Sequence, residues 1–486
     1  MQMTDFSFLL YFLPAMLLGY FLLSSSRKAQ NLWLVFSSLL FYSFGNYIYL
    51  IFLLVLTIAN YYLGYAVHKY RGEKQEKQEK QFAKRILQLA CVLNALPLLF
   101  YVHLHPWLDS IFSLVKVSVP EFPVAPFGIA FLALQGISYV VDIYRGKVEW
   151  NPRFADTALY FTFFPPLQAG PIIRYHDVAQ QIEKRKVELD KIIVGLCRFV
   201  IGLAKVVLLA QPLSVIANIA FEQSNLSGIY TTVPVSLALL GLVAYGLALF
   251  HYLSGFSDLV IGLGRVVGFV YPENFNQPVK SISLTTFWQR FYISLYAWFD
   301  EYVYKSLSKQ RINNDYMVLH MLLMWLLIGL WLGPGIPKIL FALWIFFFLI
   351  LERIIEFDNK RNKSPLRKVY VAFVVLISLV AIKTDSIYQF TLFISNLFGM
   401  KNNGFHSELA QLLFKENWLV LLIGLVCLLP LTDELRQHVE SKNSIIGNAL
   451  YLFYPLVMLA LVALVMIQIS SISYDPGQLL NFRLWS

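Results

Sequence analysis

The sequence predicts an all-α polytopic membrane protein, and three observations carry that prediction. Of its 486 residues 58% are hydrophobic and 14% charged, against about 25% charged in an average soluble domain. Apolar runs approaching the roughly 20 residues of a membrane-crossing helix recur along the chain. The stretches between them collect Lys and Arg, so the net charge of +10 reads as cytoplasmic loops rather than a nucleic-acid surface. Helices follow because each satisfies its own backbone inside lipid.

The first apolar segment, residues 6–23, has no basic stretch before it and no small-residue cleavage site, and reads as a retained span. Residues 1–5 carry no Lys or Arg, whereas Arg27 and Lys28 follow the span, which sets the N-terminus outside. Residues 31–42 and 48–66 form a hairpin about Gly45-Asn46. Residues 69–85 hold seven basic positions. Glu73 and Glu76 each stand four before a lysine, the pattern of a solvated helical extension. A dock for an acidic partner is the alternative reading of that face. Residues 86–101 return outside, where His103 and His105 lack a third metal ligand nearby. Cys91, Cys197 and Cys427 lie in apolar runs without metal spacing and read as packing residues.

Residues 126–144 cross back. Gln135 and Ser138 are polar groups in an apolar helix and need partners on neighbouring helices; Asp142 is placed to pair with Arg145. Residues 160–175 break the pattern. Phe163-Phe164-Pro165-Pro166-Leu167-Gln168-Ala169-Gly170-Pro171 carries three prolines and a glycine, too broken for one helix. Irregular backbone survives at membrane depth only where protein or a watery cavity shields it, so a re-entrant segment is expected. Lys184, Arg185, Lys186 and Lys191 mark cytoplasm again. Spans at 192–210 and 232–252 follow, joined by a polar outer loop around 224–228. Gly262-x-Gly264 is no nucleotide loop, because no strand precedes it; small residues there allow close helix packing.

The chain is organised around residues 287–334. They open with Phe287-Trp288-Gln289-Arg290-Phe291-Tyr292-Ile293-Ser294-Leu295 and close with Gly329-Leu330-Trp331-Leu332-Gly333-Pro334, with a membrane helix at 316–331 between. Arg290, Asp300, Glu301 and His320 are costly at membrane depth and face either protein or water; an interfacial helix with snorkelling charges is the competing reading. Beyond it come a span at 338–356, a basic segment at 360–368, and apolar segments at 369–382, 390–400, 418–429 and 445–469.

This stretch resembles the core of the membrane-bound O-acyltransferase family, nearest the bacterial branch that acetylates alginate and D-alanylates teichoic acid. The family motifs there read F-W-x-R-W-H-I-S-L and G-L-W-H-G. Residues 127–146 are similar to its G-I-S-F-x-x-F-Q-x-x-S-Y-x-x-D-x-Y-R-G block, with Ala130 and Leu134 departing. Residues 163–175 resemble F-F-P-x-L-x-A-G-P-I-x-R-Y. Residues 254–265 resemble S-G-Y-S-D-x-x-I-G-L-G-R, with Tyr252 where the family places Asp. Residues 272–278 resemble P-E-N-F-N-x-P, and Leu351-Glu352-Arg353 fits the same frame. The resemblance implies a helical bundle with re-entrant segments around a central tunnel. It implies three regions: 1–125, N-terminal membrane helices with the basic cytoplasmic loop; 126–356, the core; and 357–486, C-terminal membrane helices. The tunnel or substrate-lining residues it implies are Trp288, Arg290, Ser294, Trp331, Gln168, Arg174, Ser254, Ser257 and Asp258.

The departure from the family lies at its two histidines, whose positions hold Tyr292 and Leu332. The family moves an acyl group from a carrier thioester to a hydroxyl, and a general base contributes roughly 10²–10⁴-fold to such a step. Leu332 accepts no proton. A phenol with an unperturbed pKa near ~10 is a poor base, although its O–H can polarise a carbonyl. His320 is a weak substitute: it lies about 18 Å from Leu332 along a helix and reads better as an inter-helix hydrogen-bonding group. His251, Asp258 and Lys338 rank lower.

Three functions stay open. The first is a protein linked to acyl (acetyl-like) transfer onto an exported or cell-envelope polysaccharide, with catalysis lost or altered. The second is an active O-acyltransferase using an atypical base, and the third a lipid or solute transporter. No metal and no bound cofactor are expected; the donor would be an acyl-carrier or CoA thioester. The expected partners are membrane lipid, an acyl-carrier protein at the cytoplasmic face, and periplasmic or extracellular acylation or export proteins, with no nucleic acid. The expected location is a bacterial inner membrane.

Overall fold

The computed structural model describes residues 2–44, 47–72, 76–105, 108, 112, 125–126, 128–223, 232–308, 315–355, 365–429 and 445–471. The Gly45-Asn46 turn and the 224–228 loop lie outside them. Among the described residues no strand forms, and extended pairing is limited to one antiparallel bridge between Phe275 and Phe291. Among the described residues seven helices are long and apolar enough to cross a membrane, in keeping with the all-α polytopic reading. The chain divides into two compact units, 1–199 with 259–272 and 200–258 with 273–482.

The first unit holds α1 (Leu13–Leu22), α2 (Arg27–Ser43), α3 (Tyr47–Tyr70), α4 (Lys77–Leu99), α5 (Ile129–Tyr144), α6 (Phe154–Thr162), α7 (Tyr175–Glu183) and the start of α8 (Leu189–Ala204). Helix α5 is buried on nearly all sides. Its Gly136 admits the Asn94 side chain of α4 where a Cβ would clash. Asn94 and Asn60 exchange amide hydrogen bonds of 2.8 and 2.9 Å, so each polar group in the bundle serves the other's need for a partner. Ser138 Oγ donates to Gln135 O at 2.9 Å and lies 3.0 Å from Tyr160 Oη. Asn31 Nδ2 donates to Asp156 Oδ1 and Ile182 O.

Every residue from Tyr160 to Ile173 is buried. Helix α6 ends at Thr162, a 3₁₀ turn spans Pro165–Leu167, and α7 begins at Tyr175. The stretch is irregular and wholly shielded by protein, the condition under which such backbone is stable away from water. Tyr160 Oη donates to Ile173 O at 3.0 Å and ties its two ends together. Gly170 is fixed by Val260, whose Cγ2 would lie 2.5 Å from any Cβ there.

The second unit contains α9 (Gln211–Gln223), α10 (Val235–Val266, through 258), α11 (Leu284–Trp288), α12 (Ile293–Phe299), α13 (Lys305–Ser308), α14 (Asp315–Leu332), α15 (Ile336–Ile354), α16 (Pro365–Lys383), α17 (Ile387–Leu397), α18 (Glu408–Leu428) and α19 (Ile445–Ser470). Three expected span ends move, one of them the start of α18, at Glu408 rather than 418. The π turn Lys205–Ala210 carries α8 into α9, so 189–222 is one helical run of 34 residues, and α10 runs for 32. The small residues of that stretch are contact points, the close packing expected of them. Gly255 faces Gly202 O, 2.9 Å from where its Cβ would sit, and close backbone approach is what glycine permits in membrane helices. Helix α14 turns into α15 through Gly333 and Gly335, both at positive φ. Lys338 Nζ then donates to Ile382 O and Thr384 O at 2.8 and 2.7 Å, capping the end of α16 with a cation where the helix dipole favours one.

Candidate functional site

Tyr292 is buried, 3% exposed, and begins α12 as its N-cap. Its φ of 51° is left-handed, a region few non-glycine residues occupy. The short pairing about the Phe275–Phe291 bridge holds it there: Asn276 N donates to Arg290 O and Ile293 N to Asn274 O, each at 2.9 Å. Asn274, 1% exposed, completes the clamp. Its Oδ1 accepts from Ser294 N at 3.0 Å and Ser294 Oγ at 2.8 Å, and its Nδ2 donates to Ser257 Oγ at 2.9 Å. Ser257 in turn donates to Leu253 O. The structure thus joins Ser257, Ser294 and Tyr292 through a residue that sequence reasoning passed over. Its one signal was its place between Pro272 and Pro278. The Tyr292 ring stacks on Phe275, centroids 6.1 Å apart.

Leu332 is half-buried and is the last residue of α14; Trp331 beside it is 3% exposed. His320 is half-buried on the same helix, twelve positions away, as its spacing required. Other candidates are committed elsewhere. Asp258 accepts from Lys205 Nζ at 2.6 Å. His251 Nε2 lies 2.8 Å from Gly424 O and joins α10 to α18. Ser254 Oγ is buried without a hydrogen-bond partner among the described residues. Arg290 is half-buried, and its backbone carries the pairing just described.

A cavity of about 340 Å³ opens between α11, α12, α14 and α15, lined by Thr285, Trp288, Tyr296, Asp300, Tyr304, Met321, Met324, Trp325, Leu349, Glu352 and Arg353. Of the expected lining residues, Trp288 is there; His320, Tyr292 and Leu332 are not among its walls. Trp288 and Trp325 meet edge to face, centroids 5.1 Å apart. The carboxylates are committed: Glu352 accepts from Leu284 N at 2.7 Å and Thr285 N at 3.5 Å, and Asp300 holds Lys305 Nζ at 2.5 Å.

In the first unit, Gln168 Oε1 accepts from Met3 N at 3.3 Å. Arg174 forms a two-pronged pair with Asp177, Nε to Oδ2 at 3.0 Å and Nη2 to Oδ1 at 3.1 Å. Asp142 is fully buried and accepts from His176 N at 3.1 Å; His176 Nδ1 lies 2.9 Å from the same oxygen. His176 was not singled out in the sequence, because its partner is 34 positions away.

The membrane-bound O-acyltransferase family model matches residues 37–382. A probable alginate O-acetylase AlgI of Azotobacter vinelandii is 33% identical over 386 residues, 78% of this chain and 74% of that one. A peptidoglycan O-acetyltransferase of Helicobacter pylori is 29% identical, covering 69% and 67% of the two chains. A teichoic acid D-alanyltransferase of Bacillus subtilis is 24% identical, covering 53% and 67%. With the family model covering most of the chain and the helical architecture to match, this multi-pass membrane protein belongs to the membrane-bound O-acyltransferase family.

Proposed function

We propose that this protein serves acyl (acetyl-like) transfer onto an exported or cell-envelope polysaccharide, with the family's usual proton removal lost or altered. The observation that carries the reading is Tyr292. Its backbone is held in a demanding conformation by a buried clamp, while its side chain is a phenol and Leu332 is a hydrocarbon. A preserved frame around two positions unable to take a proton near neutral pH supports altered work on an acyl-handling scaffold. Named relatives that act on alginate, peptidoglycan and teichoic acid support a cell-envelope polymer as the acceptor. In this reading the thioester donor arrives from the cytoplasm, the N-terminus lies outside, and an acyl-carrier protein meets the cytoplasmic face.

The test is thioester consumption by purified protein in lipid nanodiscs. The unmodified chain is expected to turn over acetyl thioester at background. The pair Tyr292→His with Leu332→His is expected to raise turnover by about 10²-fold, the low end of general-base help. Turnover by the unmodified chain that disappears in Tyr292→Phe overturns the reading.

An active enzyme with an atypical base is the second reading, favoured by one observation: the His176 ring is oriented by a buried carboxylate, the arrangement that fixes a working imidazole. Turnover abolished in His176→Ala and kept in Tyr292→Phe would select it.

A further inference from the structure

The acyl-transfer reading makes no use of a cluster of guanidinium groups in the first unit. We propose that the start of α2, with Arg185 beside it, binds the phosphodiester of an anionic phospholipid of the phosphatidylglycerol kind. The proposal stands apart from the acyl-transfer reading. Local charge argues first. Ser26 caps α2, its Oγ accepting from Ala29 N at 3.4 Å, and the next two residues are Arg27 and Lys28. The first turn of α2 holds no acid. A helix N-terminus already carries about half a positive charge, and its first N–H groups lack intrahelical acceptors. Cations placed there repel that charge, whereas an anion is drawn to both.

The buried neighbour argues next. Arg185 is 5% exposed. Arg27 Nη1 and Arg185 Nε both approach Tyr20 Oη, at 3.2 and 3.4 Å, and Arg27 Nη2 donates to Arg185 O at 2.5 Å. Two guanidinium groups thus share one phenol oxygen. Arg185 Nε also donates to Val267 O and Nη1 to Ile182 O, at 3.0 and 3.1 Å, at the ends of α10 and α7. Two helix C-termini offset about one positive charge. Arg27, Lys28 and the positive end of α2 are left over. The acids that flank Arg185 in the chain are engaged: Glu183 lies 3.9 Å from Arg153 and Glu188 3.0 Å from Lys191. Arg185 Nη2 is buried and has no acceptor among the described residues. Charge held out of water calls for a counter-charge, and the guanidinium fork matches phosphate oxygens.

The border of the cluster selects a lipid. Leu18 and Leu22 on α1 and Leu32 and Phe36 on α2 are exposed, each pair four apart on one helix face. Acyl chains cover such surface and free phosphate does not. The positive-inside pattern reads this end as cytoplasmic, where basic groups beside a membrane helix recognise anionic headgroups.

The experiment counts bound lipid. Full-length protein is purified in detergent, stripped of lipid, and titrated with dioleoyl phosphatidylglycerol or with dioleoyl phosphatidylcholine, whose choline cancels the phosphate charge. Native mass spectrometry reads the complexes. One phosphatidylglycerol is expected to bind about ten- to thirtyfold more tightly than phosphatidylcholine, the effect of two cations near a headgroup. Lys28→Gln should weaken it about fivefold, and Arg27→Gln with Lys28→Gln should erase the preference. Lys28 is exposed and bonds nothing among the described residues, so Lys28→Glu should fold and erase the preference even where Arg27→Gln does not fold. Lys401→Gln, at an exposed lysine after α17, should change nothing. Equal binding of the two lipids, parent-like binding by Lys28→Glu, or an equal loss in Lys401→Gln overturns the proposal. Displacement of phosphatidylglycerol by glycerol 1-phosphate at equal concentration would make this a free-phosphate site and overturn it too. Capture of an acidic acyl-carrier protein by the stripped protein, lost in Lys28→Glu and undisturbed by phosphatidylglycerol, would give the cluster to a protein partner instead.

Discussion

Asn274 holds more of the site together than any residue the sequence singled out. One amide joins Ser257 on α10 to the first turn of α12. Asn274→Ala leaves those buried groups short of partners, and each such loss costs about 1–3 kcal/mol. The variant is expected to melt several degrees below the parent in detergent, with Asn274→Asp, which keeps the acceptor and loses the donor, in between. An unchanged melting temperature for the alanine variant would remove the clamp from the account. Tyr292→His should fold, because histidine is among the non-glycine residues enriched in the left-handed region. The motif around Asn274 was visible in the sequence as a match. Its role was not, because the partners lie 17 and 20 positions away and meet only when α10 and α12 pack. Tyr292 and Leu332 were readable as positions because they sit in fixed frames. Their backbone setting was not, since no local rule puts a tyrosine at φ 51°.

At the scale of elements, hydropathy found the helices and misplaced three of their ends. Gly255 and Gly262 weaken the apolar pattern, yet both are points where backbones touch. A Cβ on Gly262 would lie 2.7 Å from Gly195 O and from Phe199 N, both on α8. Gly262→Val should therefore abolish monodisperse protein on size exclusion. Gly404→Ala, which has open space but φ +66°, should cost only backbone strain of about 1–2 kcal/mol and remain monodisperse. The opposite ranking would show that these glycines serve flexibility rather than contact. The broken stretch 160–173 was foreseeable because three prolines leave few alternatives. The Lys338 cap on α16 was not, because it spans 44 and 46 positions.

For the whole chain, the positive-inside pattern yields an orientation that the second unit lets one test. Val235 N and Ser236 N donate to Gly404 O and Phe405 O, and Lys383 Nζ donates to Asn218 Oδ1 at 2.7 Å. The start of α10, the end of α16 and the loop holding Gly404 therefore share one end of that unit, the end read as outer. With Cys91, Cys197 and Cys427 replaced by serine, Asn402→Cys should react with an impermeant maleimide on intact cells. Lys80→Cys should react only after permeabilisation. Inverted labelling would reverse the topology.

The enclosed stretch from Tyr160 to Ile173 also constrains biogenesis. A ribosome delivers it well before α10, so Val260 is not yet present to seat Gly170. A nascent chain released into lipid at that moment would offer bare amides to hydrocarbon. Insertion must keep this stretch in a hydrated vestibule until its shell arrives. Substitutions that delay α10, even far from any chemistry, should then surface as degradation by membrane proteases rather than as an inactive but stable product.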